Sequence, residues 1–402
     1  MLACNGTGRE AFWSALEEGR SGIDYITRFD PSDLPCKIGG QLWDFDAHDY
    51  LKKADVKRWH PSVHQAVAAT KLAMEDSELL DAGYQPERVA TGFGTSVGDI
   101  DAAYHEYMCI RHENGWENMP RLTSSAVSAH ASTANVTAMF GFRGPAITIG
   151  SGCSTGLDTL AWGVGQLQTG NVDAAVVGAT ETPLFDLAMA AAAKLGILCN
   201  DYKSPTDAMR PFDKSSSGLV LSESAVVLTL ERSDHAEARG ARIFGEVAGN
   251  GSASEGHSAV ILQREGYAIA NAIQAALEDA GLEARDIDCA HCHGVSLPMY
   301  DKAETQGYRN ALQEYAYRIP ITASKSMIGQ AYAVGGLLNV VGALLSLERG
   351  VIPPTINLEN PSPECDLDYV PKTSRYNDPA TALVNALSFG GTHTAAVLKR
   401  WN

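Results

Sequence analysis

The 402-residue sequence has few basic residues for its acidic ones, with 31 Lys and Arg against 48 Asp and Glu and a formal net charge of -17. This imbalance excludes a surface that binds nucleic acid mainly through phosphates, because no dense basic stripe offsets the acidic excess. A basic run does occur at Lys52, Lys53, Lys57 and Arg58. It could dock an acidic partner, although such a run more commonly forms a solvated helix face.

Long hydrophobic runs are also missing. No apolar stretch reaches the length of about 20 residues that a membrane span needs, and the N-terminus lacks the basic start and apolar segment of an export signal. The eight cysteines are scattered through a long chain, which favours reduced thiols over a small-domain disulfide framework. We therefore expect a cytoplasmic protein without membrane contact.

One cluster of cysteine and histidine, Cys289-Ala-His-Cys292-His293, has the spacing of covalent haem attachment. We reject haem because covalent attachment would fit an exported chain and the segment looks like a strand that runs into a glycine turn. A zinc site at this cluster would need a second ligand pair elsewhere in the chain. We expect neither haem nor a metal here.

The order of predicted elements indicates two α/β series in tandem, and the length exceeds what one hydrophobic core usually serves. In the first series, a helix over Gly156–Gln168 lies between strands at Ile147–Ile149 and Ala174–Gly178. The second series begins at Ile243. Its elements are a strand to Ala248, a helix over Gly266–Ala280, strands near Ile287 and Ile319, a helix over Ala331–Leu347, and strands near Leu383 and Ala395.

The strongest chemical signal is Ile147-Thr-Ile-Gly-Ser-Gly-Cys153-Ser-Thr-Gly156, where a cysteine lies between glycines at a strand-to-helix junction. Glycines permit the sharp turn of a nucleophile elbow. The positive end of the following helix would stabilise a thiolate, so we expect a lowered pKa for Cys153. Considered alone, however, a cysteine packed as a small hydrophobe is the better interpretation.

Three later segments favour the catalytic interpretation, because each follows a predicted strand with polar residues suited to acyl transfer. Any one of them could be an ordinary loop. They are His293-Gly-Val-Ser-Leu-Pro298 with Asp301 and Glu304, then Ser324-Lys325-Ser-Met-Ile-Gly329-Gln330, and finally Asn385-Ala-Leu-Ser-Phe389-Gly390-Gly391-Thr-His393.

In this order behind the cysteine, these motifs resemble the β-ketoacyl synthase family, the elongating condensing enzymes of the thiolase-fold superfamily. The similarity covers nearly the whole chain and includes Arg210-Pro-Phe-Asp213 with Glu223, and the tract from Val351-Ile-Pro-Pro-Thr355 to Leu367-Asp-Tyr-Val-Pro371. It implies an α/β, thiolase-like fold of two similar halves stacked as a five-layered αβαβα core. Residues 1–240 would bear the nucleophile, and residues 241–402 would bear the other site residues.

The resemblance also implies roles for individual residues. Cys153 would accept the acyl group from a thioester. His293 falls on the histidine of the family's His-Gly-Thr motif, which assists decarboxylation of a malonyl thioester and stabilises the enolate. Lys325 and Glu304 match a pair thought to organise the site.

Phe389, before Gly390 and Gly391, matches the family's gating phenylalanine. Its backbone N–H, with that of Cys153, would form the oxyanion hole. The family needs no metal or organic cofactor for this chemistry, so we expect none.

The sequence departs from the family at its second active-site histidine, where it has Gln330 after Gly329. Glutamine can donate a hydrogen bond but can be neither a base nor a cation. Priming relatives use Cys-His-Asn, so an amide is compatible with decarboxylative condensation, and equally with acyl transfer alone. Further changes at Ser296, Ser388 and His393 suggest an altered acyl pocket.

The segment Met1-Leu-Ala-Cys-Asn5 lies just after the position of the family's first strand. We therefore expect either a truncated N-terminus or a strand that is dispensable in this protein.

The leading hypothesis is a β-ketoacyl synthase of fatty-acid or polyketide type that acts on acyl carrier protein and malonyl thioester substrates. One alternative is an acyltransferase on the same scaffold. Another is a non-catalytic chain-length partner in a heterodimer, although the retained Cys153 and His293 count against it. The family is dimeric, so we expect a homo- or heterodimer. The acidic net charge predicts that carrier docking depends on a local basic patch.

Overall fold

The computed structural model describes residues 1–98, 100–112 and 115–401, which form two main β-sheets with helices around and between them. The strands are β1 Leu2–Ala3, β2 Gly6–Thr7, β3 Asp24–Tyr25, β4 Ile38–Gly39, β5 Val89–Gly94, β6 Ala146–Ile149, β7 Ala174–Glu181, β8 Ser224–Glu231, β9 Glu246–Ser254, β10 Cys289–His291, β11 Ile321–Thr322, β12 Val351–Ile352, β13 Arg375–Tyr376, β14 Thr381–Leu387 and β15 Thr392–Lys399.

The α-helices vary from single turns to more than four turns. They are α1 Arg9–Glu17, α2 Lys53–Val56, α3 Pro61–Ser77, α4 Ile100–His112, α5 Thr123–Ala126, α6 Ala131–Phe140, α7 Thr155–Gln168, α8 Asp186–Leu195, α9 Ser233–Ala238, α10 Tyr267–Ala280, α11 Pro298–Leu312, α12 Lys325–Ile328 and α13 Gly335–Arg349.

The two sheets repeat one arrangement. The first sheet has the order β2-β1-β8-β7-β5-β6, in which β6, β5 and β7 are parallel and β8 is antiparallel to β7. The second has the order β11-β10-β14-β15-β9, in which β11, β10 and β14 are parallel and β15 is antiparallel to β14. This repeat confirms the predicted duplicated architecture. Because the sheets draw their strands from residues 2–231 and 246–399, we propose that the halves divide near residue 240.

Three hydrophobic clusters correspond to the predicted five layers. One joins α3 and α6 to the outer face of the first sheet, and another joins the second sheet to α10 and α11. The third, between the sheets, contains apolar residues of α7 and α13, so these two helices form the middle layer. Leu157 and Leu160 of α7 are fully inaccessible in this middle layer.

Glycine permits close packing in the middle layer. A Cβ atom on Gly156 of α7 would lie 2.6 Å from the carbonyl oxygen of Ala333, which precedes α13. A contact this short requires that the position carry no side chain. The start of α7, and with it the Cys153 turn, is therefore held tightly against the segment that leads into α13.

Two predicted elements differ from the structure at their ends. The strand predicted over Ile243–Ala248 is β9, which begins later and continues to Ser254 because it pairs with β15 along its length. Its second part lacks a hydrophobic pattern because Gly249 and Gly251 lie directly against α10. The helix predicted from Ala331 begins at Gly335, after a 3₁₀ turn in which Tyr332 has a φ of 38°.

Within the described residues, no helix is both long and apolar enough to cross a membrane. The seven cysteines described there are all free and buried. The same part of the chain holds no group of three or more His, Cys, Asp or Glu side chains placed to bind a metal ion. His291, from the Cys-His cluster, lies instead with its Nε2 3.2 Å from the hydroxyl of Ser346.

Candidate active site

The predicted site residues follow the C-terminal ends of four strands. Cys153 comes after β6, His293 after β10, Lys325 after β11 and Phe389 after β14. In open α/β sheets, this edge of parallel strands is where ligands bind. The predicted residues of the two halves meet here, because hydrogen bonds join Cys153 to Gln330 and Lys325 to His293.

Cys153 lies in a tight turn between β6 and α7. Gly152 has a φ of 69°, a left-handed conformation that glycine adopts readily, and a 3₁₀ turn over Gly152–Ser154 leads directly into α7. The predicted elbow geometry is confirmed. The thiol is almost completely buried, with 4% of the residue exposed, and its sulfur accepts a hydrogen bond of 3.3 Å from Nε2 of Gln330.

The expectation of a lowered pKa for Cys153 is wrong. Burial raises the pKa of the thiol to about 12, and this effect outweighs the nearby positive charge of Lys325. A backbone hydrogen bond from Phe389 and the amide of Gln330 also favour the thiolate, but less strongly. Cys153 is therefore a thiol at neutral pH, because desolvation penalises the charged form.

His293 is positioned as a neutral hydrogen-bond donor. Its Nδ1 accepts a hydrogen bond of 3.3 Å from the backbone N–H of Leu387 and lies 3.5 Å from Nζ of Lys325. Since Nδ1 is an acceptor, the ring proton lies on Nε2. Burial and the positive charge of Lys325 hold the pKa of His293 well below its usual value, so the ring stays neutral and cannot supply a cation.

Lys325 and Glu304 support the histidine loop from two sides. Nζ of Lys325 donates a hydrogen bond of 2.7 Å to the backbone carbonyl of His293. The Glu304 carboxylate accepts backbone hydrogen bonds from His293 at 2.6 Å and Gly294 at 2.8 Å. Burial lowers the pKa of Lys325, and the charge of Glu304 opposes that shift. Both side chains are buried and fix the turn after β10.

Gln330 contacts the Cys153 sulfur with one half of its amide. Nε2 donates to the Cys153 sulfur, whereas Oε1 is buried without a hydrogen-bond partner in the described part of the chain. An unpaired buried carbonyl has a desolvation cost of about 1–3 kcal/mol, which a bound group with a donor can relieve. The Gln330 side chain can therefore act on Cys153 only through hydrogen bonds.

Phe389 and the two glycines form the turn between β14 and β15. Gly390 and Gly391 have φ values of 91° and 76°, so the turn requires the left-handed freedom of glycine. The Phe389 ring packs against Tyr300 with the ring centroids 5.1 Å apart. Together with the backbone hydrogen bond to Cys153, this packing places Phe389 directly beside the Cys153 thiol.

Sequence reasoning placed Asn385 in the Phe389 segment without assigning it a role of its own, and it missed Asn339. The side-chain amide of Asn385, near the end of β14, donates a hydrogen bond of 2.7 Å to Glu304, and its Oδ1 accepts one of 2.8 Å from the Tyr308 hydroxyl. Asn339 on α13 donates a hydrogen bond of 2.7 Å to the carbonyl of Cys292. A lone asparagine within an otherwise apolar strand or helix was the available signal.

Comparison with known proteins agrees with this geometry. The family models for the β-ketoacyl synthase N-terminal and C-terminal domains match residues 1–236 and 244–359. The chain is 32% identical to the tetracenomycin polyketide synthase ketoacyl synthase alpha subunit of Streptomyces glaucescens, over 100% of this chain and 95% of that one. It is 33% identical to 3-oxoacyl-[acyl-carrier-protein] synthase 2 of Synechocystis, over 98% and 95%.

A solved structure supports the fold over the full length. The ishigamide ketosynthase/chain length factor matches with a TM-score of 0.93 and 27% identity, covering 100% of this chain and 97% of that one. The thiolase-like fold predicted from the motifs is thereby confirmed. The chain belongs to the β-ketoacyl synthase family and is an acyl-transferring enzyme of the fatty-acid or polyketide type.

Proposed function

We propose that this protein catalyses decarboxylative condensation of a carrier-bound acyl group with a malonyl carrier thioester, through an acyl-Cys153 intermediate. The observation that carries the proposal is that one site contains a buried thiol and a neutral histidine whose Nδ1 already accepts a hydrogen bond, which leaves its Nε2–H as a donor. The thiol and this donor supply the two kinds of group that the reaction needs.

In the first half-reaction, the sulfur of Cys153 attacks the thioester carbonyl. The backbone N–H groups of Cys153 and Phe389 would stabilise the oxyanion. The carrier then leaves as its thiol, having taken the proton that Cys153 gives up. Because the free thiol has a pKa of about 12, proton loss is expected to accompany attack rather than to precede it.

In the second half-reaction, the malonyl thioester loses CO₂ to give an enolate. The enolate oxygen would accept hydrogen bonds from Nε2–H of His293 and from Nε2–H of Gln330. The enolate carbon attacks acyl-Cys153, which forms the new carbon–carbon bond and releases the sulfur. One proton from solvent restores the Cys153 thiol, so each cycle consumes one acyl group, one malonyl group and one proton.

The acyltransferase alternative differs in one measurable product, CO₂. With acyl and malonyl carrier substrates, we expect one CO₂ per β-ketoacyl product. Gln330→Ala should lower CO₂ release by about 10²-fold, which is the usual cost of losing one hydrogen-bond donor to a developing oxyanion. Gln330→His should retain CO₂ release. Loading of Cys153 without CO₂, restored by Gln330→His, would instead support the acyltransferase.

A non-catalytic partner role is the third possibility, since one solved neighbour contains a chain length factor. Cys153 and His293 are both retained and positioned in contact with the rest of the site. This retention favours a catalytic subunit. A protein that neither loads an acyl group nor releases CO₂ in any variant would support the partner role.

We propose dimerisation through β6, the last strand of the first sheet. Ile147 on this strand is 36% exposed, and Met139 on the preceding helix α6 is 42% exposed, so apolar side chains accompany the backbone of this edge strand. A partner strand paired with β6 would cover both. Sedimentation should give twice the monomer mass for the wild type and the monomer mass for Ile147→Asp.

The basic run at Lys52, Lys53, Lys57 and Arg58 is a candidate docking patch for an acidic carrier protein. All four side chains are exposed, and none forms an ion pair within 4 Å in the described ranges. We expect Lys57→Glu with Arg58→Glu to raise KM for carrier-bound acyl substrate about tenfold with little change in kcat, because rim charges act mainly on association.

The matched control for this patch is Lys194→Glu, an exposed lysine on α8. A short N-acetylcysteamine thioester, which carries no protein, should be used equally well by all these variants. An equal loss of activity with the carrier-bound substrate and with the N-acetylcysteamine thioester would contradict the docking role.

We also infer a cytoplasmic location from the free cysteines. Recovery of the protein in an exported fraction would contradict this inference.

A further inference from the structure

The hydroxyl of Ser388 bridges Ser151 and Ser154, which lie on either side of Cys153. Ser388 is completely buried at the end of β14, immediately before Phe389. Its Oγ accepts a hydrogen bond of 2.7 Å from the backbone N–H of Ser154 and donates one of 2.7 Å to the backbone carbonyl of Ser151. One side chain of the second half therefore holds both ends of the elbow from the first half.

The backbone of Ser388 also defines the turn that carries Phe389. Its N–H donates to the carbonyl of Thr392 at 2.9 Å, and its carbonyl accepts from the N–H of Gly391 at 3.1 Å. These bonds close the turn around the two glycines. The position of the Phe389 peptide relative to Cys153 thus depends on the residue whose hydroxyl binds the elbow.

Close approach between the two segments is built into the backbone. A Cβ atom on Gly152 would lie 3.1 Å from Oγ of Ser388, so a side chain at position 152 would displace the hydroxyl. Ser154 adds a second connection, because its Oγ donates to the carbonyl of Thr392 at 2.9 Å. A third runs from Thr394 on β15 to Asp158 on α7 at 2.6 Å.

We propose that Ser388 is a positioning residue for acyl transfer, which sets the distance between the backbone N–H groups of Cys153 and Phe389 at the oxyanion pocket. The two donors belong to different halves of the chain, and the Ser388 hydroxyl links the elbow directly to the residue that precedes Phe389. This inference rests on the acyl-loading half of the proposed function and does not depend on condensation.

A comparison of two reactions at the same sulfur tests the proposal. Acylation by a thioester passes through an oxyanion, whereas alkylation by iodoacetamide displaces iodide from carbon and needs no oxyanion pocket. Ser388→Ala should lower the rate constant for acylation of Cys153 by at least about tenfold, since a misplaced donor loses part of the 10²–10³-fold that a deleted donor costs. Alkylation of Cys153 should change less than about threefold.

Ser346→Ala is the matched control, because Ser346 is equally buried on α13 and bonds to His291. Its ratio of acylation to alkylation should equal that of the wild type. If Ser388→Ala does not fold, Ser388→Gly removes the same hydroxyl and carries the comparison. Acylation and alkylation falling by the same factor, or an unchanged acylation rate, would overturn the proposal. If the proposed condensation were wrong and the Ser388 proposal right, the wild type would still be acylated on Cys153 but would release no CO₂.

Discussion

Replacing Cys153 by alanine is expected to abolish acyl-enzyme formation and to lower turnover by at least about 10⁴-fold, the scale seen when a covalent nucleophile is removed. The reason is structural, because the sulfur is the atom on which the surrounding donors converge. Gln330 donates to it directly, and the Phe389 backbone and the charge of Lys325 also act on it. No other cysteine in the described residues contacts these groups in the same way.

The control for this substitution is Cys289→Ala. Cys289 is completely buried on β10, so its loss reproduces the removal of a buried sulfur without touching the elbow. Intact-protein mass spectrometry after incubation with an acyl carrier thioester should show one acyl group on the wild type and on Cys289→Ala, and none on Cys153→Ala. An acyl group retained by Cys153→Ala would contradict the assignment of the nucleophile.

Replacing His293 by alanine should separate the two half-reactions. CO₂ release is expected to fall by about 10³-fold, because the donor to the enolate oxygen is lost. Acyl loading of Cys153 should stay within about tenfold of the wild type, since His293 makes no hydrogen bond to the sulfur among the described contacts. Scintillation counting of released ¹⁴CO₂ and mass spectrometry of the loaded protein measure the two steps separately.

The pH dependence of CO₂ release gives a second test of His293. Because the pKa of His293 is held well below 6.5, the ring stays in its neutral, Nε2–H form at every pH above that lowered pKa. The histidine should therefore contribute no inflection between pH 6 and 8. A rate that titrates near the ordinary pKa of histidine, and that loses this titration in His293→Ala, would show that the ring acts in its charged form.

The sequence predicted the fold and singled out candidate site residues that the structure brings together, because both depend on strongly patterned segments. Glycines around Cys153 and after Phe389 can be recognised without structural information, since few other residues fit such turns. The strand ends that carry His293 and Lys325 are equally visible. The order of predicted strands and helices indicated the duplicated architecture, and the order of the motifs carried the resemblance to the family.

Features that depend on the environment were not predictable in this way. The pKa of Cys153 is set by how completely the thiol is removed from water, and neither helix position nor glycine spacing reports burial. The roles of Lys325 and Glu304 were also assigned only as a pair. The structure shows two separate supports, in which Lys325 binds a carbonyl and Glu304 binds two backbone N–H groups.

The role proposed for Ser388 was also not predictable from the local sequence. Its sequence position beside Phe389 suggested only an altered acyl pocket, whereas its hydrogen bonds go to Ser151 and Ser154 in the other half of the chain. A contact over more than 200 residues of sequence cannot be inferred from local pattern. It is visible only once the two halves are placed together.

The central claim is that acyl-Cys153 is an intermediate in carbon–carbon bond formation, and a single-turnover chase tests it most directly. The protein is first loaded with one acyl group from a carrier thioester, freed of excess donor, and then mixed with malonyl carrier protein. We predict that the acyl group disappears from the Cys153 peptide at the same rate at which β-ketoacyl carrier and CO₂ form. Loss of the acyl group without β-ketoacyl product, or product formed while acyl-Cys153 persists, would contradict the account.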